Sequence, residues 1–252
     1  MLEIQKLSFR YARSAPPVLH ELSMQLKDGE IGILLGKNGS GKTTLFKNIL
    51  GLSRPESGSI LFDGNDLLRM PPRKRAEYVA YVPQHIHFGD LSVYDSVLMG
   101  RVSRFGLHPG KEDHEAVREI LRDMQLEDFA HRSAEALSGG EKQKIAIARA
   151  LAQSPRLLIF DEPTGNLDIA NEELIIELAR KIAREKNISI LSSLHDFNQA
   201  LYFGDRFFFL RDGHILSSGT AEAVNEKNIG ETFDISAKIV TVEGKRVVLG
   251  KR

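Results

Sequence analysis

A glycine-rich turn between an apolar strand and a helix constrains this sequence more than any other feature. The turn reads GKNGSGKT over residues 36–43; the apolar run Ile31–Leu35 precedes it and a helical pattern over 42–50 follows it. Glycine permits the backbone angles that turn successive N–H groups inward around phosphate oxygens, and the helix adds the positive end of its dipole. The pattern therefore predicts a phosphate site in which Lys42 supplies positive charge and the Thr43 hydroxyl binds magnesium. A chance match is the alternative, and the order of strand, turn and helix argues against it.

Apolar strand patterns alternate with helical patterns along the chain, which predicts an α/β fold with a mostly parallel sheet. The predicted strands cover 2–10, 18–27, 31–35, 57–63, 78–82, 156–160, 188–194 and 207–210, and the predicted core helices cover 42–50 and 171–186. From 86 to 150 the strand patterns give way to helical patterns at 92–100, 111–125 and 141–152. The 252 residues are about 1.7 times a typical domain, which favours one domain with a subdomain. We therefore predict a core over 1–85 and 151–235 with an N-terminal β part, a helical subdomain over 86–150, and a hairpin tail over 236–252.

The composition excludes several classes of protein. Lys and Arg together number 34, as do Asp and Glu, so the net charge is zero and nothing favours nucleic acid as a partner. The chain has no cysteine, which excludes disulfide scaffolds, thiolate zinc sites and cysteine nucleophiles. No run approaches the roughly 20 apolar residues of a membrane span, and the first residues lack the apolar stretch of a secretion signal. We expect a chain that is soluble by itself.

Two carboxylates follow a strand that is apolar on both faces. Asp161 and Glu162 come directly after Leu157–Phe160, at the carboxyl end where open α/β sheets place their ligands. We assign Asp161 to a magnesium ion, through water, and Glu162 to the attacking water as its general base. The alternative is that both acids only cap the turn before Pro163, and the phosphate loop elsewhere in the chain argues against it.

A second helix start has the composition of a phosphate site. Ser138, Gly139 and Gly140 precede the helical pattern that begins near Glu141, and such a start exposes backbone N–H groups. One chain with two partial phosphate sites suggests that two chains complete each other's sites.

These elements, in this order, resemble the ATPase subunit of ATP-binding cassette (ABC) transporters over essentially the entire chain. The resemblance makes residues 36–43 the Walker A loop, 157–162 the Walker B strand, and 137–143 the signature segment. Gln84 matches the Q-loop glutamine, 166–168 the D-loop, His195 the switch histidine, and Tyr11 the aromatic residue that stacks on adenine. The implied fold is a P-loop NTPase (RecA-like) core with a mostly parallel sheet, an N-terminal antiparallel β part and a helical subdomain insert.

The resemblance also implies an ATPase that uses ATP and Mg²⁺, with two copies paired head to tail around the nucleotide. The implied ATP-binding residues are Tyr11, Gly36, Lys37, Asn38, Gly39, Ser40, Gly41, Lys42, Thr43, Thr44, Ser138, Gly139, Gly140 and Asp168. The implied catalytic residues are Lys42, Gln84, Glu162 and His195, and the implied magnesium ligands are Thr43, Gln84 and Asp161. Three positions depart from the family pattern: Lys37 stands where proline is frequent, and Thr43 and Gly165 where serine is frequent.

The segments 91–101 and 195–200 and the short tail resemble importers of iron complexes, haem and cobalamin. Importers of zinc, manganese or molybdate are the alternative, and a non-transport ABC protein that clamps nucleic acid or ribosomes is a remote one. An importer implies permease subunits contacted through 84–101, a second ATPase subunit, a solute-binding protein as an indirect partner, and a place on the cytoplasmic face of the membrane. His85 and His87 could face one side of an extended segment, but with no third ligand nearby we interpret them as loop residues.

Overall fold

The computed structural model describes residues 1–165 and 167–250, and these form a mixed α/β fold of two compact units. The first unit comprises Met1–Met70 and Ile182–Arg252, and the second comprises Pro71–Lys181. In chain order the strands are β1 (Leu2–Phe9), β2 (Leu19–Leu26), β3 (Ile31–Leu35), β4 (Ser57–Phe62), β5 (Asn65–Asp66), β6 (Val79–Val82), β7 (Leu157–Asp161), β8 (Ser189–Ser193), β9 (Arg206–Arg211), β10 (His214–Gly219), β11 (Ala237–Val242) and β12 (Lys245–Gly250). The helices are α1 (Lys42–Ile49), α2 (Pro72–Ala76), α3 (Val93–Leu98), α4 (Lys111–Asp123), α5 (Gly139–Ala152), α6 (Ile169–Lys186), α7 (Phe197–Phe203) and α8 (Glu226–Phe233).

The first unit contains the predicted antiparallel β part. Its strands lie in the order β2-β1-β4-β5. In β2, Leu19, Leu22, Met24 and Leu26 are buried, whereas the intervening side chains are partly or fully exposed. This alternation is typical of an antiparallel sheet with one face on the core.

The first unit also contains a parallel group of strands around β3. β3 pairs in parallel with β8 on one side and with β9 on the other, and β10 continues antiparallel to β9. All five residues of β3 are buried, as expected for a strand covered on both faces. The glycine-rich turn and α1 follow the carboxyl end of this strand, where parallel sheets bind ligands.

The second unit combines a parallel strand pair with helices. β6 pairs in parallel with β7, in the register Val79 with Leu157 and Val82 with Phe160. The predicted helix over 111–125 is α4, in which Val117 and Leu121 are buried, as is Met124 directly after the helix. The predicted helix over 92–100 is shorter: α3 ends at Leu98, and a single 3₁₀ turn, Met99–Arg101, follows.

The tail forms the predicted hairpin of β11 and β12. Glu243 and Gly244 connect the strands with φ of 49° and 76°, and two consecutive positive φ angles are the mark of the tight turn that suits the twist of a hairpin. Sequence patterns did not predict α2, α7, α8 or β10. Across residues 1–165 and 167–250, no helix combines the length and apolar character that crossing a membrane requires.

Candidate functional site

The glycine-rich turn between β3 and α1 depends on glycine for two separate reasons. Gly39 and Gly41 have φ of 82° and 110°, a region that side chains with a Cβ rarely adopt. Gly36 has ordinary angles, but a Cβ there would lie 2.4 Å from the carbonyl oxygen of Leu210 and 2.6 Å from Ser40 Oγ. Gly39 and Gly41 therefore allow the loop to curve, and Gly36 allows it to pack closely against β9.

The side chain of Lys42 is enclosed by this loop. It is only 6% exposed, and its ammonium donates hydrogen bonds to the carbonyl oxygens of Gly36 at 2.7 Å and Lys37 at 3.1 Å. Ser40 Oγ is also buried and has no hydrogen-bond partner among the described residues. A buried hydroxyl without an acceptor costs free energy, and a phosphate oxygen in the loop would supply that acceptor. These residues fit a nucleotide phosphate.

Two threonines follow Lys42 in the first turn of α1. Thr43 is exposed, as a ligand for a solvated magnesium ion requires. Thr44 is buried, and its Oγ1 shares a 3.0 Å hydrogen bond with the Tyr11 hydroxyl. The Tyr11 ring packs edge-on against Phe9 at 4.9 Å between centroids and is 60% exposed. The predicted adenine-stacking residue thus lies beside the first turn of α1, with more than half of its surface exposed.

The second unit holds the predicted carboxylates, and each has its own partner. Asp161 ends β7, is buried, and its Oδ2 accepts a 3.2 Å hydrogen bond from the Tyr81 hydroxyl. Burial, and then the charge of Asp161, raises the pKa of Tyr81, so the hydroxyl stays a donor at neutral pH. Sequence reasoning missed Tyr81, although it lies on β6, the neighbour of β7.

Glu162 and Gln84, two predicted catalytic residues, are in contact. Gln84 Nε2 donates to Glu162 Oε2 at 2.5 Å. Glu162 has a φ of 52°, a strained angle for a residue with a side chain, and its carbonyl accepts a 3.1 Å bond from the amide of Gly165. A strained backbone and a fixed amide donor hold the carboxylate in one orientation, as a general base needs.

The signature segment starts α5 with a reciprocal capping box. Ser138 Oγ accepts from the backbone N–H of Glu141 at 3.4 Å, and a Glu141 carboxylate oxygen accepts from the N–H of Ser138 at 2.9 Å and from its hydroxyl at 2.7 Å. These bonds to Ser138 lower the pKa of Glu141. The box fixes the first turn of the helix and leaves Ser138 and Gly139 exposed.

The same segment packs on the D-loop region. A Cβ at Gly140 would lie 2.3 Å from Asn171 Oδ1, and one at Gly139 would lie 3.4 Å from Leu167 Cδ2. Asn171 donates from its backbone to Asp168 Oδ1 at 2.8 Å and from Nδ2 to Oδ2 at 2.9 Å. Sequence reasoning missed Asn171. Asn166, also assigned to the D-loop, lies outside the described residues.

His195 and the remaining loop residues belong to the first unit. His195 is exposed two residues beyond the end of β8, and Asp196 caps α7 by accepting from the N–H of Gln199 at 2.7 Å. Asn38 and Gly39 are exposed in the phosphate loop. Among the described residues there is no group of three or more His, Asp or Glu side chains that could hold a metal ion.

The family described as ABC transporter matches residues 19–165, which is more than half of the chain and includes the phosphate loop, both carboxylates and the signature segment. The chain belongs to the ABC transporter family. This ABC protein is 36% identical over 249 residues to an uncharacterized ABC transporter ATP-binding protein of Methanocaldococcus jannaschii, covering 99% of this chain and 97% of that one. It is 32% identical to a probable iron chelatin transport ATP-binding protein of Helicobacter pylori, covering 98% of each.

Solved structures agree with this assignment. A metal-chelate type ABC transporter in an inward-facing conformation superposes on the ABC protein with a TM-score of 0.85 at 27% identity, covering all of this chain and 97% of the other. A dimeric ATP-binding cassette bound to ADP and phosphate gives 0.76 at 28% identity, covering 87% and 98%. The P-loop NTPase fold is confirmed, and the protein is an ATP-binding, ATP-hydrolysing transporter subunit.

The relatives differ in what their names say they transport. Further matches are import ATP-binding proteins for molybdate or tungstate, at 35% identity, and for sulfate or thiosulfate, at 37%. This chain spans 64% and 63% of those two proteins.

Proposed function

We propose that this ABC ATPase powers uptake of a metal chelate, of the iron–siderophore, haem or cobalamin type, through separate membrane subunits. The observation that supports the proposal is similarity over almost the whole length of the compared chains. The matches to the relative named for iron chelatin and to the metal-chelate type transporter each cover at least 97% of this chain and of the other chain. In the relatives named for molybdate and sulfate, more than a third of the length lies outside the match.

Zinc, manganese or molybdate import is the second candidate. It is favoured by the 35% identity to the molybdate/tungstate relative over 90% of this chain. A clamp on nucleic acid or ribosomes has no comparable support, since the relatives named above are transport proteins and the net charge is zero.

In the proposed reaction, the phosphate loop binds the nucleotide with its backbone N–H groups, Ser40 Oγ and the Lys42 ammonium. Thr43, Asp161 and Gln84 would hold Mg²⁺, which prefers such oxygen ligands and neutralises phosphate charge when bound. Glu162, held by the Gln84 amide, takes the proton from the attacking water. His195 and the partner's signature segment meet the charge that develops on the transferred phosphoryl group.

The proposed partners are a second copy of this chain, permease subunits and, indirectly, a solute-binding protein. The dimeric cassette supports the first, and a related ATPase that is part of a cbiONQ complex supports attachment to other subunits. Within 84–101, the segment proposed to contact the permease, Leu91 is 37% and Met99 52% exposed. Contact there would place the ATPase at the cytoplasmic face of the membrane as a peripheral subunit.

The test is transport by this chain assembled with permease subunits in proteoliposomes. We expect ATP-dependent uptake of a labelled ferric siderophore, haem or cobalamin, and loss of uptake with Lys42→Ala, which removes the ammonium from the loop. Uptake of molybdate, zinc or manganese with none of the chelates would overturn the substrate class and leave the ATPase assignment intact.

A further inference from the structure

The side chain of Lys37 points away from the phosphate loop and contacts an acidic side chain directly after α8. Lys37 Nζ lies 2.5 Å from Asp234 Oδ2. Asp234 follows the last residue of α8, and its other oxygen accepts a 2.9 Å bond from Arg211 at the end of β9. One carboxylate therefore joins a lysine of the nucleotide loop to an arginine of the core.

The loop is held independently of this carboxylate. Gly36 packs directly on the carbonyl of Leu210, and the N–H of Gly213 donates to the carbonyl of Ser40 at 3.1 Å. These are backbone contacts within a packed region. The Lys37–Asp234 pair differs, because its side chains are 45% and 56% exposed, so water and ions reach it and it can exchange partners.

The backbone of Lys37 is hydrogen-bonded within the phosphate loop even though its side chain points away from the loop. Its carbonyl oxygen accepts from the Lys42 ammonium at 3.1 Å and from the N–H of Ser40 at 3.2 Å. A lysine stem is flexible and carries a compact charge. From this position the ammonium can swing from Asp234 towards bound phosphates, whose several negative charges attract it more strongly than one carboxylate does.

We propose that Asp234 is a positioning residue for ATP binding, which holds the Lys37 ammonium away from the phosphates so that nucleotide and Asp234 compete for it. The proposal rests on ATP binding by the phosphate loop. Asp234 is ionised when it acts in this way, since its hydrogen bond from Lys37 lowers its pKa. It follows that Asp234 lowers the affinity for ATP, and that nucleotide binding leaves Asp234 with Arg211 as its partner.

The variant that tests this is Asp234→Asn. Asp234 has a φ of 54°, which asparagine tolerates well, and the amide oxygen can still accept from Arg211. The substitution removes the charge that pairs with both Lys37 and Arg211, and the Lys37→Met background separates the two contributions. The proposal predicts that ATP binds about 1.5- to 5-fold more tightly, the range for releasing one exposed ion pair. The gain should shrink in 0.5 M salt, because exposed charges are then screened.

The measurement is the Kd of fluorescent mant-ATP for five forms of the isolated chain: the wild type, Asp234→Asn, Lys37→Met, the variant with both substitutions, and Glu231→Gln. Asp234→Asn should tighten binding in the wild type and have no effect in Lys37→Met. Glu231→Gln is the matched control. It removes a charge from α8, the helix that Asp234 follows, where Glu231 pairs with Lys227 at 3.9 Å, and it should leave Kd unchanged.

Three results would overturn the proposal: unchanged or weaker binding by Asp234→Asn, an equal gain in the Lys37→Met background, or an equal gain from Glu231→Gln. Unchanged or weaker binding would mean that Asp234 has only a structural role. Either of the other two results would show that removing any negative charge has the same effect. None of these bears on the transported substrate, because the measurement needs neither permease nor cargo.

Discussion

Replacing Gly140 with alanine is the most specific perturbation that the signature segment offers. The new Cβ would lie 2.3 Å from Asn171 Oδ1 and 2.7 Å from its Cγ, far inside contact distance. Asn171 is not free to turn away, because its Nδ2 and its backbone N–H both bond to Asp168. Either the start of α5 moves, or Asn171 gives up its side-chain bond to Asp168.

The magnitude follows from two opposing terms. Overpacking of this kind typically destabilises the folded state by about 1–3 kcal/mol. Alanine in place of glycine in a helix stabilises it by up to about 1 kcal/mol. We expect a net loss of about 1–2 kcal/mol, or roughly 2–8 °C in Tm for a chain of this size. Gly139→Ala is the matched control, since it gains the same helical propensity but meets only Leu167 Cδ2, at 3.4 Å. It should be neutral or slightly stabilising.

Thermal unfolding without nucleotide measures this directly, and ATP hydrolysis measures its consequence. Adding Asn171→Ala should restore most of the stability that Gly140→Ala loses, because it removes the group that clashes. Equal stability of Gly140→Ala and Gly139→Ala would refute the predicted clash, and so would a Gly140→Ala variant whose stability does not rise when Asn171 is truncated.

Two further predictions concern single contacts in the second unit. Tyr81→Phe removes the donor to Asp161, and we expect a loss of about 1–2 kcal/mol in the free energy of unfolding, measured in urea; an unchanged midpoint would contradict the role of that bond. The pKa of Asp113 is lowered, chiefly by the N–H of Gly110 and then by Arg101 at 2.9 Å. Because the folded pKa lies below the unfolded one, this carboxylate stabilises the fold above the unfolded pKa and loses that effect as the pH falls through the folded pKa. Asp113→Asn should therefore lower the free energy of unfolding at pH 7, and that free energy should then fall less steeply as the pH is lowered. An unaltered dependence of the free energy of unfolding on pH would refute this.

The sequence predicted those parts of the site that are local. The strand β3, the phosphate loop and α1 are contiguous, and the glycines at 39 and 41 have the positive φ angles that the pattern requires. The apolar run before Asp161 is likewise a buried strand. Local periodicity and turn chemistry are sufficient for such features.

The missed contacts join residues that no local pattern connects. Tyr81 and Asp161 are 80 positions apart, and Lys37 and Asp234 are 197 apart. The first pair forms because β6 pairs with β7, and the second forms because of where α8 ends. A single sequence reveals neither. The missed helices α2, α7 and α8 have five to eight residues, about two turns or fewer, so their apolar periodicity is too short to distinguish from a loop.

The central claim is that this chain hydrolyses ATP with Glu162 as the base, within a pair of chains. Glu162→Gln tests it most directly, because glutamine keeps an acceptor for the Gln84 amide but cannot take a proton. We expect ATP to bind and to hold two chains together, seen as a nucleotide-dependent dimer in sedimentation, with phosphate release slowed by about 10²-fold or more. Hydrolysis at the wild-type rate, or bound ATP with no dimer, would contradict the account.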